Sequence, residues 1–259
     1  MAAGTATATT PAHDSLTAAT LTWLGHSCAE IRLDNLLLVT DPVLRSRIFH
    51  LRRRSAVDPA LLDGVEVILI SHTHHDHLDL PSLDRLDPEA QVLVPAGAGG
   101  VLRRRGFRYV TELVQGQEVD LGAVRIRATH AEHGQGRRLG TGPTQPLGYV
   151  ITGSRTVYFA GDTDLFQAMG ELGRIDVALL PVAGWGPRLP AGHLDPARAV
   201  QALELIQPHI AIPIHWGTYA PWRPPRGDEP AKTFAEMASR VAPAVDVRVL
   251  RPGQSCPLD

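Results

Sequence analysis

Residues 72–77 read His72-Thr73-His74-His75-Asp76-His77, directly after the apolar run Val65-Glu66-Val67-Ile68-Leu69-Ile70-Ser71. Burying an imidazole without a partner costs about 1–3 kcal/mol, so clustered histidines do not suit the interior of a strand. At a strand end they can converge on a metal, because imidazole and carboxylate are ligands for zinc, iron and manganese. A low-complexity or engineered histidine tract would lie at a terminus or in a linker. The mid-chain position therefore favours a metal site.

The spacing inside this segment suggests two ligand positions. His72 and His74 lie two residues apart, so in extended chain their side chains point the same way. A turn after them would bring Asp76 and His77 to a second position nearby.

Three further strand ends carry ligand-type residues. Asp162 follows the apolar residues 156–161, and His215 follows residues 210–214. Both His130 and His133 come after residues 124–129. Any one of these alone could be a turn former or a helix cap. Together with the first segment they predict convergence at one edge of a sheet.

The remaining pattern predicts an α/β layered domain, because mixed strands are followed by strands that alternate with helices. Weak similarity between the two halves suggests a two-sheet sandwich. A helix at residues 196–206 should begin at the N-cap Asp195, with Pro196 in its first turn. The predicted strands are residues 21–24, 29–33, 36–40, 65–71, 91–95, 109–113, 118–120, 124–129, 148–152, 156–161, 175–181, 210–214 and 245–250, and the other helices are residues 98–105, 165–172 and 231–241.

Composition is that of an ordinary globular protein. The chain has 259 residues, with 44% apolar and 20% charged residues. A net charge of −2 gives no general attraction to nucleic acid, so no nucleic-acid partner is expected. Two cysteines are too few for a disulfide framework, which favours a cytoplasmic location. No apolar run is long enough to span a bilayer.

Residues 1–20 are rich in Ala and Thr and lack the basic start and apolar stretch of a signal peptide. They are expected to be a disordered N-terminal tail. Residues 21–259 are expected to form a single domain, since no linker or charge block divides them.

Several motifs together resemble metallo-β-lactamase-fold hydrolases over about residues 21–250. The branch that is most similar contains N-acyl-phosphatidylethanolamine phospholipase D and the bacterial ascorbate-6-phosphate lactonases. The motifs are His72-x-His74-x-Asp76-His77, Gly161-Asp162-Thr163 and His215-Trp216-Gly217-Thr218 for the superfamily, with Trp23-Leu24-Gly25-His26-Ser27, Thr40-Asp41-Pro42 and Ala191-Gly192-His193-Leu194-Asp195-Pro196 for the branch.

The resemblance implies a four-layer αβ/βα sandwich with a dinuclear centre. It places His72, His74 and His133 on one metal, Asp76, His77 and His215 on the other, and Asp162 between them. His130 remains an alternative to His133, because both imidazoles can ligate. Two divalent ions, zinc before manganese or iron, would activate a bridging water. Asp76 would also orient this nucleophile.

His193 is a candidate catalytic residue outside the ligand set. In the resembled branch it would contact substrate or protonate the leaving group, whereas the structural alternative is a helix-entry histidine. His26 and Asp41 are expected to support the ligands. Trp185, Trp216 and Tyr219 are expected either to line the pocket or to serve as rim packing.

Two arginine-rich stretches could serve binding or simply be solvated. The stretch from Arg45 to Arg54 could capture a phosphate or touch an anionic lipid surface. Arg103, Arg104, Arg105 and Arg108 are expected to be a solvated face balanced by acidic residues.

The sequence thus predicts a metal-dependent hydrolase of a small-molecule or lipid-like ester, namely a phosphodiester, phospholipid or lactone. A nuclease of the same superfamily ranks lower, because the chain is not basic. A metal-binding sensor or scaffold without turnover is the alternative from another class. Peripheral membrane contact and the oligomeric state are left open.

Overall fold

Two seven-stranded mixed sheets form the centre of the molecule, and helices lie on their outer faces. The computed structural model describes residues 18–134, 143–183, 189–220 and 229–259. The helices are α1 (Leu80–Leu83), α2 (Gly99–Arg103), α3 (Pro196–Ile206) and α4 (Glu229–Val241). The strands are β1 (Thr20–Gly25), β2 (Cys28–Leu33), β3 (Leu36–Thr40), β4 (Arg47–Ile48), β5 (Leu51–Arg53), β6 (Val67–Leu69), β7 (Gln91–Pro95), β8 (Tyr109–Leu113), β9 (Glu118–Asp120), β10 (Arg125–His130), β11 (Leu147–Thr152), β12 (Thr156–Phe159), β13 (Val177–Pro181), β14 (Ile210–Ile214), β15 (Tyr219–Ala220), β16 (Asp246–Val247) and β17 (Gln254–Pro257).

The strand order places the predicted ligands at the same edge. The first sheet runs β17-β1-β2-β3-β6-β7-β8, and the second runs β16-β14-β13-β12-β11-β10-β9. Strands β12, β13 and β14 pair in parallel, and β10 points the same way because it is separated from β12 by the antiparallel β11. Parallel strands end at a common edge, so the residues after β10, β12 and β14 meet there.

Side-chain alternation divides most of the core into two large clusters, and a third, small cluster of Val43, Ile48, Leu51 and Tyr219 lies at the three-stranded sheet. In β6, Val67 and Leu69 face the cluster between the sheets, whereas Ile68 faces the outer cluster under α1 and α2. The inner cluster extends from Leu21 to Leu258 and includes residues of α3 and α4. Each fully buried large apolar side chain contributes about 1.5–3 kcal/mol, and the alternation fixes the strand register. The four-layer αβ/βα sandwich predicted from the sequence is confirmed.

Helix α3 begins where the sequence predicts. The side chain of Asp195 accepts a hydrogen bond from the backbone N–H of Arg198, and Pro196 occupies the first turn. The helix ends at Gln207 in the left-handed region, with φ of +51°. Because the cap fixes the chain entering the helix, it also fixes His193, two residues before Asp195.

Several predicted elements differ from those observed. The predicted helix at residues 165–172 is a 3-10 turn (Gln167–Glu171), and the predicted final strand at residues 245–250 retains only β16. The sequence did not predict the three-stranded sheet β15-β5-β4 or strand β17, which pairs with β1. Residues 1–17 of the expected tail lie outside the described residues, while Thr20 already pairs with Pro257 in β1. Among the described helices, none has the length and apolarity to cross a membrane.

Candidate metal centre

Three imidazole nitrogens form the first candidate ligand position. Nε2 of His72 lies 2.8 Å from Nδ1 of His74, which in turn lies 3.1 Å from Nε2 of His133. His72 and His74 follow β6 in the first sheet, whereas His133 follows β10 in the second. The position therefore spans both sheets, and we call it position 1.

The second candidate position, position 2, gathers around one carboxylate oxygen. Oδ2 of Asp76 lies 3.3 Å from Nε2 of His77 and 3.5 Å from Nε2 of His215. Nε2 of His26 lies 3.1 Å from the same oxygen. Ligand atoms of these four residues all lie within 4.8 Å of one another, a separation that a single cation can span.

Asp162 lies between the two positions. Its Oδ2 is 3.1 Å from Nε2 of His77 and 3.2 Å from Nε2 of His215. It also forms a compact group with His133 and His193, and Nε2 of His193 is 3.4 Å from Oδ2. One carboxylate thus adjoins both positions, the arrangement that a bridging ligand requires.

A glycine before Asp162 allows this close approach. Gly161 has φ of +62°, and a Cβ atom there would lie 2.6 Å from the Cβ of Ser71. Only glycine avoids both the strain and the clash. The end of β12 can therefore approach the segment that carries His72.

Hydrogen bonds hold the outward-facing ring nitrogens of four histidines. Such bonds fix the tautomer and aim the opposite nitrogen at the centre. The four contacts through Nδ1 are His72 with Oγ of Ser71 (3.0 Å), His77 with Oδ2 of Asp41 (2.6 Å), His133 with the Gly192 carbonyl (2.6 Å) and His215 with the Ala183 carbonyl (2.8 Å).

Asp41 also fixes the backbone at the first histidine segment. Its Oδ1 accepts a 2.7 Å hydrogen bond from Ser71 N, and its Oδ2 accepts a 2.5 Å hydrogen bond from Ser71 Oγ. The residue is fully buried, so its charge is satisfied only by these partners and His77. The supporting role predicted for Asp41 agrees with these contacts.

The two positions differ in their protonation. Burial lowers the pKa of His72 and His133, and burial together with His133 lowers the pKa of His74 to about 4. Burial also acts on His77 and His215, but the neighbouring carboxylates outweigh it, raising the pKa of His77 well above its ordinary value and that of His215 to about 9. Without metal, position 1 thus favours neutral imidazoles. In position 2, His77 and His215 favour the imidazolium form, whereas His26, whose pKa burial lowers to about 3, favours the neutral form.

The carboxylates of the centre are ionised. Burial raises their pKa, but His77 and His215 outweigh it and hold the pKa of Asp76 and Asp162 well below the usual range. Without metal, the imidazolium groups of His77 and His215 therefore lie against the carboxylates of Asp76 and Asp162. A divalent cation can take the place of these protons.

The donor set fits divalent metal ions. Oδ1 of Asp162 is buried and has no hydrogen-bond partner, while Nε2 of His77 and Nε2 of His215 are buried and face carboxylate oxygens 3.1–3.3 Å away without the geometry of a hydrogen bond. Unpaired buried polar atoms are costly, so their convergence needs a compensating ligand. Imidazole nitrogen and carboxylate oxygen without thiolate suit zinc, manganese or iron.

The two histidines that the sequence offered for the same ligand, His130 and His133, lie in different surroundings. His133 lies in position 1, whereas His130 is 40% exposed and has Nε2 3.2 Å from Oε2 of Glu132. His193 is 13% exposed beside Asp162, and its Nδ1 donates to the Pro190 carbonyl over 3.2 Å. All the residues predicted as ligands are brought together, and His193 lies at their border.

His26 lies closer to the centre than the sequence suggested. Its ring contacts Asp76 directly and lies 4.1 Å from the ring of His215. Its backbone accepts a 2.9 Å hydrogen bond from His215 N, so it links the two sheets. Both His26 (φ +57°) and His215 (φ +62°) adopt the left-handed backbone, a strained conformation often found at functional sites. No signal in residue order reveals that conformation.

The aromatic residues considered for the pocket pack within the fold. Trp216 is buried, stacks on Trp23 at 4.8 Å and donates through Nε1 to the Pro213 carbonyl. Tyr219 is buried in β15 and donates to the Arg45 carbonyl over 2.8 Å. Rim and core packing is therefore the observed role of these two residues. Trp185 lies outside the described residues.

The arginines of the first stretch have partly structural roles. Arg53 donates to the carbonyls of Leu24, Val43 and Ser55, so its guanidinium is committed to the backbone. Arg45 pairs with Asp79, with Nη2 2.6 Å from Oδ1. Arg52 and Arg54 are exposed. In the second stretch, arginines pair with acidic residues as expected: Arg103 with Glu112, Arg105 with Asp84 and Arg108 with Glu89.

The two mixed sheets, with a histidine and aspartate centre at one shared edge, define a class of protein: a metal-dependent hydrolase with the metallo-β-lactamase fold. Comparison with known protein families agrees with this class. The beta-lactamase superfamily domain matches residues 37–216, and the chain belongs to this family.

Similar proteins carry matching descriptions. A UPF0173 metal-dependent hydrolase from Methanopyrus kandleri is 32% identical over 244 residues, which cover 91% of this chain and 98% of that protein. Igni18, a metallo hydrolase from Ignicoccus hospitalis, is 26% identical with a TM-score of 0.71, covering 93% and 98% of the two chains. CmlA, a diiron β-hydroxylase from Streptomyces venezuelae, covers 95% of this chain and 55% of its own, with a TM-score of 0.73. At 19% identity, CmlA shows the fold alone.

Proposed function

We propose that residues 21–259 act as one domain that hydrolyses a small ester-type substrate at a dinuclear metal centre. The substrate class is a phosphodiester, phospholipid or lactone. Position 1 would hold one divalent ion through His72, His74 and His133, and position 2 the other through Asp76, His77 and His215. Asp162 would bridge them. Zinc is the proposed metal, with manganese or iron as alternatives.

The observation that carries this proposal is the placement of Asp162. Its carboxylate is buried between the imidazoles of position 1, whose pKa values are lowered, and those of His77 and His215, whose pKa values are raised. Its Oδ1 has no hydrogen-bond partner. A carboxylate needed only for folding would be expected to have both oxygens paired. The contacts of Asp162 with both groups support a bridging role.

Two divalent ions held by these residues would supply hydroxide near neutral pH and polarise a substrate carbonyl or phosphoryl oxygen. The protein's own residues arrange this chemistry. Asp76, only 16% exposed and in contact with His26, has a fixed carboxylate that can orient an attacking water. His26, His77 and His215 enclose it on one side and exclude bulk solvent.

His193 is placed to act on the substrate. Its Nδ1 proton is committed to the Pro190 carbonyl, so Nε2 faces Asp162 and the centre. In its doubly protonated form the ring can give a proton from Nε2 to a departing oxygen. In its neutral form the same nitrogen accepts a hydrogen bond from substrate.

Small ester substrates fit the chain better than nucleic acid does. The net charge is −2, and Arg45 and Arg53 are held by Asp79 and by backbone carbonyls. A polyanion would therefore meet little free positive charge from these two residues. The motifs that resemble those of the phospholipase and lactonase branch support the narrower substrate class. Two buried free cysteines, Cys28 and Cys256, suit the reducing cytoplasm, the proposed location.

A panel of bis(p-nitrophenyl) phosphate, short lactones and N-acyl phospholipids, each assayed with zinc, manganese and iron, tests the function. We expect His133→Ala to lose metal from position 1 and to lower kcat/KM by at least about 100-fold. His130→Ala is the matched control, since it removes an imidazole from the same strand end outside the centre. Turnover of the panel with equal efficiency by both variants would contradict the ligand assignment. Tight metal binding without any turnover would favour a sensor.

A further inference from the structure

An ion pair beside the centre joins α3 to the loop that carries Asp162. Nη1 of Arg198 lies 2.6 Å from Oδ1 and 2.7 Å from Oδ2 of Asp164. Oδ1 of Asp164 also accepts a 2.7 Å hydrogen bond from Leu165 N. Both carboxylate oxygens are therefore engaged, and the Asp164 side chain is only 17% exposed.

The backbone of Asp164 holds the segment that carries His133. Asp164 N donates to the Glu132 carbonyl over 2.8 Å. In the other direction, Glu132 N donates to Oγ1 of Thr163 over 2.9 Å, and Oγ1 donates to the Asp164 carbonyl. These bonds bind the residue before His133 to the residues after Asp162. A position 1 ligand and the proposed bridge thus share one hydrogen-bonded unit.

The same hydrogen-bonded unit also contacts the loop that carries His193. Arg198 lies on the first turn of α3, whose N-cap Asp195 accepts from Arg198 N. His133 donates to the Gly192 carbonyl, and a Cβ on Gly192 would lie 3.1 Å from Nδ1 of His133. Three segments, ending at His133, Asp162 and His193, therefore depend on one junction.

We propose that the Arg198–Asp164 ion pair is a positioning element that sets the distance between His133 and Asp162, and so controls metal affinity at position 1. This inference rests on the proposed two-metal centre. The pair touches neither metal ligands nor substrate directly. It acts through the backbone of Glu132 and through the start of α3.

If the ion pair served only to stabilise the fold, its removal would change the free energy of unfolding and not the metal affinity of one position. Partly exposed ion pairs contribute little to the free energy of unfolding, and Arg198 is 49% exposed. The pair should therefore matter for the geometry of position 1 much more than for folding. Position 2 shares Asp162, but its own residues His77 and His215 are held by Asp41 and the Ala183 carbonyl, which are independent of the pair.

Three variants of the full chain test this assignment. Arg198→Met removes the charge and keeps much of the aliphatic stem. Arg198→Lys keeps one cationic nitrogen, which suffices in principle because a single Nη1 contacts both oxygens. Arg174→Met is the matched control. It breaks the pair between the exposed Arg174 and Asp176, which lies just before β13 of the second sheet.

The measurement is the dissociation constant of each bound zinc by chelator competition, alongside the thermal unfolding of the metal-free protein. We expect Arg198→Met to weaken zinc binding about tenfold at position 1 and to weaken it much less at position 2, whose other residues are held independently of the pair. Arg198→Lys should recover most of that affinity, and Arg174→Met should match wild type. Unchanged affinity at both positions in Arg198→Met, or an equal loss at both, would overturn the inference.

A second variant and the number of zinc ions bound by the wild type keep the test decisive. If Arg198→Met does not fold, Asp164→Asn gives the same test, because it keeps the backbone hydrogen bond to Glu132 and removes the carboxylate charge. If wild type itself binds fewer than two zinc ions, the dinuclear centre is refuted. Two bound ions in wild type with no change in Arg198→Met would refute the positioning role alone.

Discussion

Addition of zinc to the metal-free protein at pH 7.5 is expected to release protons, and they should come from position 2. Metal ligands must be deprotonated to bind, so every imidazolium in the centre must lose its proton. His77 and His215 have raised pKa values because they face Asp76 and Asp162. His72, His74 and His133 have lowered pKa values and have no proton to release at this pH.

The number of protons released on zinc binding follows mainly from the pKa of His215. With a value of about 9, the group is almost fully protonated at pH 7.5, so it gives about one proton per chain, and His77, whose pKa is also raised, adds to this release. Removing the His215 proton costs about 2 kcal/mol at pH 7.5, which reduces apparent affinity about thirtyfold. Ionisation of a bound water would add about one proton to the total.

Isothermal titration calorimetry in buffers of different ionisation enthalpy measures the number of protons released. We expect at least about one at pH 7.5, and a fall of about one by pH 10 as His215 loses its proton in the metal-free state. Zinc affinity at position 2 should rise over the same range, while that at position 1 should change little. Binding without proton release, or release that does not vary between these pH values, would refute the charge assignment.

Three other predictions concern the surroundings of the centre. Asp41→Asn removes the anion that holds His77, and metal affinity measured by chelator competition should fall about 10–100-fold. Arg53→Met leaves buried carbonyls without a donor and should lower the free energy of unfolding in urea by about 2–4 kcal/mol, whereas Arg174→Met should not. The metal-free protein should be most stable in denaturation near pH 6.5. It loses stability at lower pH because His26, with a pKa lowered to about 3, is buried neutral. At higher pH the imidazolium of His215 is lost as pH rises through its raised pKa of about 9. Stability that is flat from pH 5 to 9 would contradict this.

The ligand segments could be found from the sequence because each follows a strongly apolar strand. The apolar strands β6, β12 and β14 lie shortly before His72, Asp162 and His215, and parallel strands end at one edge of a sheet. The order of strands and helices predicted an α/β layered domain, whereas the four-layer arrangement followed from the resemblance to metallo-β-lactamase-fold hydrolases. His133 could not be separated from His130 on chemistry alone, since the choice depends on how the chain turns after β10.

Contacts that depend on distant segments were not predictable. His26 and Asp76 are fifty positions apart, and their contact depends on a left-handed backbone at His26. The small β15-β5-β4 sheet consists of strands of two or three residues, too short for a periodic pattern. The charge on Arg53 suggested a surface role, whereas its partners are carbonyls brought together by the fold.

The central claim is that hydrolysis needs two metal ions with Asp162 between them. Stepwise addition of zinc to the metal-free protein, with phosphodiester or lactone hydrolysis followed at each step, tests it most directly. We expect two bound ions per chain, with most activity appearing as the second ion binds, and loss of that second step in Asp162→Ala. Full activity with one ion, or activity in Asp162→Ala equal to that of wild type, would contradict it.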